Sequence, residues 1–109
     1  MAGMKFSWTE WLPWKSWRIG ATVEAADEVP AKLPPRVAVL VGSETRPKWI
    51  AFDCPCGESH RIMVSLDPAT KPHWRVLASH RLTLAPSIDA WSGRRRCHYV
   101  IRNGKIAWV

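Results

Sequence analysis

Long apolar runs are missing from this sequence. No segment approaches the roughly eighteen consecutive apolar residues of a membrane-spanning helix, so no span is expected. The opening Met1-Ala2-Gly3-Met4-Lys5 leads into tryptophans and charges, not into a signal-peptide apolar core, and a cytoplasmic location is the expectation. Cysteine is scarce: three residues, an odd number, two of them in a tight Cys-x-Cys, which argues against a secreted disulfide framework. No long amphipathic helix is visible. Acids are few, 9 against 16 Lys and Arg, giving a net charge of +7 and a pI of about 9.9. That excess raises the chance of an acidic partner such as nucleic acid, a membrane surface or an acidic protein. The charge is dispersed, however, and its one dense run, Arg94-Arg95-Arg96, reads more simply as a solvated loop.

What cysteine there is lies in two clusters, Cys54-Pro55-Cys56-Gly57-Glu58-Ser59-His60 and Cys97-His98. Thiolate and imidazole are ligands that Zn²⁺ prefers, and a structural site takes four. Cys54, Cys56 and Cys97 are the best candidates, with His60 or His98 as the fourth. Gly57 allows the sharp turn such a knuckle needs. Three buried thiols without a metal are the bland reading, which the clustering with histidines disfavours. A catalytic zinc with Glu58 as its acid ranks lower, because thiolate-rich sites are usually structural. His73 and His80 show no pattern and read as ordinary residues. At 109 residues the chain suggests one small domain, which a metal staple would help to hold together.

Residues 1–35 are expected to form a Trp-rich arm and a linker. Trp8, Trp11, Trp14 and Trp17 recur every three residues, a period that an extended three-fold or 3₁₀ conformation would line up on one side. Such an arm could dock on a partner, a base stack or a membrane interface; more blandly, the rings pack back on the domain. Residues 20–35 carry Pro30 and Pro34-Pro35, which disfavour regular structure.

Residues 36–109 are expected to fold as a mostly β, small antiparallel domain. Val37 to Val41, Trp49 to Phe52 and Arg61 to Leu66 are β-rich runs, the last two flanking the Cys54–His60 knuckle. Trp74 to Leu77 and Leu82 to Leu84 are weaker strands. Tyr99 to Arg102 and Lys105 to Val109 flank Asn103-Gly104, a dipeptide suited to the two positive φ angles of a type I′ hairpin turn. A serine, Ser87, follows Pro86 at the end of a strand-like run. If zinc takes Cys54, Cys56, His60 and Cys97, then His98 is left to act as general base to Ser87, with Asp89 orienting it. On spacing alone this is weak, and a turn or capping hydroxyl is the bland reading of Ser87.

The order of Cys-Pro-Cys-Gly-x-x-His, a Trp at 74, Leu-x-Pro-Ser-Ile, a Trp at 91, Cys-His-Tyr-x-Ile and Asn-Gly-Lys-Ile-x-Trp resembles a small bacterial family of metal-binding domains. That family is encoded beside ubiquitin-like modifiers and their activating and conjugating enzymes, often in phage-defence or mobile gene clusters. The resemblance covers roughly residues 36–109, and the Trp-rich arm lies outside it. It implies a zinc-stabilised serine peptidase-like hydrolase that processes or removes the ubiquitin-like partner, with Ser87 as nucleophile, His98 as base, and Cys54, Cys56 and Cys97 on the metal. Relatives often have a further cysteine where Glu58 stands, and they tend to separate the second cysteine from the histidine, whereas Cys97 and His98 adjoin here. Neighbours on a strand face opposite ways, which favours metal for one and chemistry for the other.

Three functions follow in order of preference. The first is the peptidase. The second is a non-enzymatic zinc adaptor, in which Cys54→Ser unfolds the domain and Ser87→Ala changes nothing. The third is a nucleic-acid module using the tryptophan arm and Arg94 to Arg96, with binding that falls steeply with salt.

Overall fold

The computed structural model describes residues 6–43, 45–57 and 60–109. Among these described residues, eight strands form two four-stranded sheets. The first holds β1 (Arg18–Val23), β2 (Val37–Gly42), β3 (Pro47–Asp53) and β4 (Arg61–Ser65) in that order; the second holds β5 (Arg75–Ala78), β6 (Thr83–Ser92), β7 (Arg95–Arg102) and β8 (Lys105–Trp108). All pairings are antiparallel except β1 with β2. The mostly β, antiparallel expectation therefore holds, with one parallel pair added. Among the described residues no helix is long and apolar enough to cross a membrane.

The expected linker is where sequence and structure differ most. Residues 20–35 contribute most of β1 and a 3₁₀ turn at Ala26–Glu28. Because Arg18 to Val23 register with Val37 to Val41, the break expected at 35/36 falls between two strands of one sheet. Parallel neighbours need a crossover, and the prolines read as linker signals belong to that crossover.

Val37, Ala38 and Val39 are consecutive and all buried, so β2 is covered on both faces. On one face Val37, Val39 and Val41 pack with Val23 and Leu33. On the other, Ala38, Ile50, Phe52 and Ile62 join Leu82, Leu84, Ile88, Tyr99 and Ile101 of the second sheet in one apolar cluster. Trp17 belongs to this cluster at 5% exposure, its ring edge-on to Phe52 with centroids 5.6 Å apart. Its backbone N–H donates to Gly104 O at 3.0 Å, and its carbonyl accepts from Leu82 N at 2.8 Å. The other three indoles take no such place: Trp8 and Trp14 stay 76% and 74% exposed, and Trp11 is 39% exposed. The four rings thus share neither of the two fates expected of them. A 3₁₀ turn covers only Trp8–Trp11, and the regular three-residue spacing does not continue as one structure.

The C-terminal hairpin forms as expected, with φ of 51° at Asn103 and 74° at Gly104. A Cβ at Gly104 would also lie 2.8 Å from Ser16 Cβ, so the turn needs glycine for space as well as for φ.

Of the weak Leu82 to Leu84 run, Leu82 lies in the preceding turn, and Thr83 and Leu84 start a longer strand. β6 continues through Pro86 to Ser92, but its register with β7 slips between Leu84↔Ile101 and Ile88↔Tyr99. Four steps on β6 there match two on β7, a bulge that contains Pro86 and Ser87. Proline lacks the N–H a ladder requires, so the bulge accommodates it. The Arg94 to Arg96 run is not a loop throughout: Gly93 and Arg94 form the turn, and Arg95 and Arg96 begin β7.

Candidate active site and metal centre

The knuckle between β3 and β4 closes through Cys54 N–H donating to His60 O at 2.9 Å, with Gly57 at φ 86°. It stands at the junction of the sheets, where β7 brings Cys97 to meet it. The ligand atoms of Cys54, Cys56, His60 and Cys97 all lie within 4.8 Å of one another. His60 Nε2 is 3.2 Å from Cys56 Sγ and 3.8 Å from Cys97 Sγ. Zn–S bonds of about 2.3 Å in tetrahedral geometry separate sulfurs by about 3.8 Å. The three thiols are buried and form no disulfide. This donor set fits a single soft or borderline cation, so the cluster could hold a metal ion. Glu58, weighed as an acid beside it, lies outside the described residues.

The electrostatics suit that role. Burial pushes the Cys54 thiol up, a shift partly offset by the Tyr99 hydroxyl. Burial, with the neighbouring thiols adding to it, pushes Cys97 up to about 12. Without a cation, burial favours the neutral thiol at Cys54 and Cys97. A divalent ion reverses the preference by supplying the missing positive charge. Tyr99 was not foreseen as part of this site. Its hydroxyl donates to Cys54 Sγ at 3.4 Å from a buried ring, and burial raises its own pKa, so it remains a donor. Its only sequence signal was the alternation that puts it two residues beyond Cys97 on the same face of β7.

His98 faces the other way. Ser87 Oγ and His98 Nε2 are 3.2 Å apart, and both side chains are half-buried. Asp89 lies directly opposite His98 in the β6–β7 register, which leaves Ser87 on the diagonal, within reach across the pair. The bulge gives Ser87 its own setting: its carbonyl accepts from the Trp74 indole Nε1–H at 3.2 Å. Trp74, like Tyr99, is a supporting residue that spacing could not assign.

Asp89 does not do what was expected of it. Both carboxylate oxygens accept from Arg96, at 2.8 Å and 2.6 Å, and not from His98. The Arg96 guanidinium holds the Asp89 carboxyl below its ordinary range, with His98 a lesser influence. The reason lies in strand parity: Arg96 and His98 share a face of β7, and arginine offers the planar fork that a carboxylate fits. The serine and histidine thus form a pair, with an ionised carboxylate beside the imidazole but bound elsewhere. A hollow of about 870 Å³ bordered by Trp11, Trp14, Arg36 and Cys54 reaches neither Ser87 nor His98.

Residues 25–109 match the model of a family described as bacterial ubiquitination-like system serine protease (BubE). The chain belongs to that family, and the match begins before the stretch that carried the sequence resemblance. No curated protein and no solved structure matches the chain.

Proposed function

We propose that this chain is a zinc-stabilised serine peptidase that processes or removes a bacterial ubiquitin-like protein, with Ser87 as nucleophile and His98 as its base. The observation that carries the reading is the 3.2 Å approach of Ser87 Oγ to His98 Nε2 in a chain of a serine-protease family. In this reading Ser87 Oγ attacks the carbonyl carbon of the modifier's C-terminal glycine, and His98 Nε2 takes its proton. The imidazolium returns the proton to the leaving amine as the C–N bond breaks. Water then cleaves the acyl ester, with His98 again accepting a proton. Asp89 contributes negative charge near the imidazolium, and Trp74 fixes the Ser87 backbone. Cys54, Cys56, His60 and Cys97 would hold the zinc, which ties the knuckle to β7 and so sets the strand that carries His98.

Labelling with a fluorophosphonate probe tests this. Wild type should label, and Ser87→Ala and His98→Ala should not, while all three keep their metal. A folded, metal-replete wild type that does not label would favour the zinc adaptor instead.

A further inference from the structure

The two sheets leave a pair of strand edges facing each other beside Ser87. The hairpin closing at Ser92↔Arg95 makes Ile88, Ala90 and Ser92 turn their N–H and C=O groups toward β7. Asp89 and Trp91 therefore turn theirs outward. The Ser87 carbonyl should point outward too, and it does, to the Trp74 indole. On β4, the bonds Cys54 N–H to His60 O and Leu66 N–H to Lys48 O fix the same alternation. Ile62 and Val64 bond to β3, while Arg61, Met63 and Ser65 face outward. The Ser65 carbonyl accepts from Trp74 N–H at 2.7 Å. Trp74 thus ties both edges together at one end, by its backbone on one side and its indole on the other.

Beyond Trp74 the edges separate. β5 pairs with β6 only over Thr83 to Ala85, and β4 is the last strand of its sheet. Among the described residues, no strand covers Arg61 and Met63 or Asp89 and Trp91. Between them lies a groove of about 330 Å³ walled by Met63, Trp74 and Trp91. Met63 and Trp91 are 37% and 63% exposed, an apolar lining beside unpaired backbone groups. Alternating donors and acceptors at strand spacing match one kind of ligand, another extended backbone.

We propose that this groove takes the extended C-terminal tail of the protein substrate as an added β-strand, paired to Asp89 and Trp91 or to Arg61 and Met63, and so leads the tail's end to Ser87. The proposal rests on the peptidase reading for its occupant, because the groove is lined by Ile88, the chain neighbour of Ser87, and by Trp74, whose indole bonds the Ser87 carbonyl. It also accounts for why Trp74 holds the Ser87 carbonyl: the indole closes the strand slot where the chain to be cut must stop.

The test uses the full chain with Ser87→Ala, and a synthetic peptide of alternating Val and Lys residues ending in Gly-Gly. Adding peptide should slow amide hydrogen exchange at Asp89 and Trp91, or at Arg61 and Met63, by about tenfold or more. Trp91→Pro and Met63→Pro remove only outward N–H groups, which an edge strand tolerates. One of them should weaken peptide binding roughly tenfold relative to Trp91→Ala or Met63→Ala. Binding without protection at these amides, no binding at millimolar peptide, or proline variants equal to their alanine counterparts would each overturn the groove. So would protection that follows protein concentration alone, which means edge-to-edge pairing of two copies. Fluorophosphonate labelling of wild type separates the two ideas. Labelling without edge protection removes the groove and keeps the peptidase; protection without labelling does the reverse.

Discussion

Cys97 and His98 are neighbours on β7 that serve opposite faces of its sheet. The Cys97 thiol is fully buried among Cys54, Cys56 and His60, while the His98 imidazole meets Ser87 Oγ. One strand therefore carries a candidate metal ligand and a candidate base at adjacent positions. Any shift of β7 that disturbs the cluster also moves the imidazole, so the cysteine cluster and the Ser87–His98 pair are mechanically linked.

Removing the metal should therefore cost both fold and labelling. Chelation or Cys54→Ser is expected to abolish the cooperative thermal transition, since metal binding supplies folding free energy in small sites. Tyr99→Phe should keep the fold but lower metal affinity by about 10–100-fold, because it deletes the hydrogen bond to the Cys54 sulfur. Competition with a chromogenic chelator measures this. Unchanged affinity in Tyr99→Phe would show that the hydroxyl does not support the metal.

Asp89→Asn should retain fluorophosphonate labelling to within about tenfold of wild type, whereas His98→Ala should lose it. The carboxylate is bound to Arg96 and not to His98, so it has no orienting hydrogen bond to lose. Loss of labelling as complete as that of His98→Ala would restore Asp89 to a direct role.

The same pair predicts a pH dependence. Arg96 lowers the Asp89 pKa in the folded chain below its unfolded value of about 3.9. Its contribution to stability is present above that unfolded value and fades as pH falls through the folded one. Because the pair is exposed, the effect on stability is small. Carboxyl NMR should find Asp89 titrating below the ordinary range, and Arg96→Ala should return it there. An Asp89 midpoint unaffected by Arg96→Ala would contradict the pairing.

Trp74→Phe keeps a ring in place but deletes the donor to the Ser87 carbonyl. A hydrogen bond of this kind contributes about 1 kcal/mol. Labelling should slow several-fold while metal content stays the same. An unchanged labelling rate would mean that the bulge alone positions Ser87.

Tryptophans of the same sequence spacing should differ sharply in stability. Trp17→Ala opens a cavity between the sheets and should cost about 3–5 kcal/mol. Trp14→Ala, at an exposed ring, should stay within about 0.5 kcal/mol. Urea melts of the two variants decide this, and similar losses would place Trp14 in the folded core.

The sequence by itself determined the features that depend on neighbours along the chain. Asn103-Gly104 specified its turn through two positive φ angles, and Cys54 to His60 specified a knuckle because tight spacing leaves a loop few alternatives. Strand parity at Cys97-His98 separated buried thiol from imidazole before any packing was known. Tertiary structure alone decided what depends on distant elements. β1 is a strand because β2 lies beside it, which prolines in the crossover concealed. Trp17 differs from Trp14 only in having Phe52, Gly104 and Leu82 to meet. Ser87 reaches His98 beside a register slip that Pro86 favours locally but that only the pairing of β6 with β7 turns into a contact, and Asp89 belongs to Arg96 because that pairing put a better partner within reach. Local conformation is set by covalent geometry and short-range sterics, whereas a side chain's partner is set by which strand pairs with which.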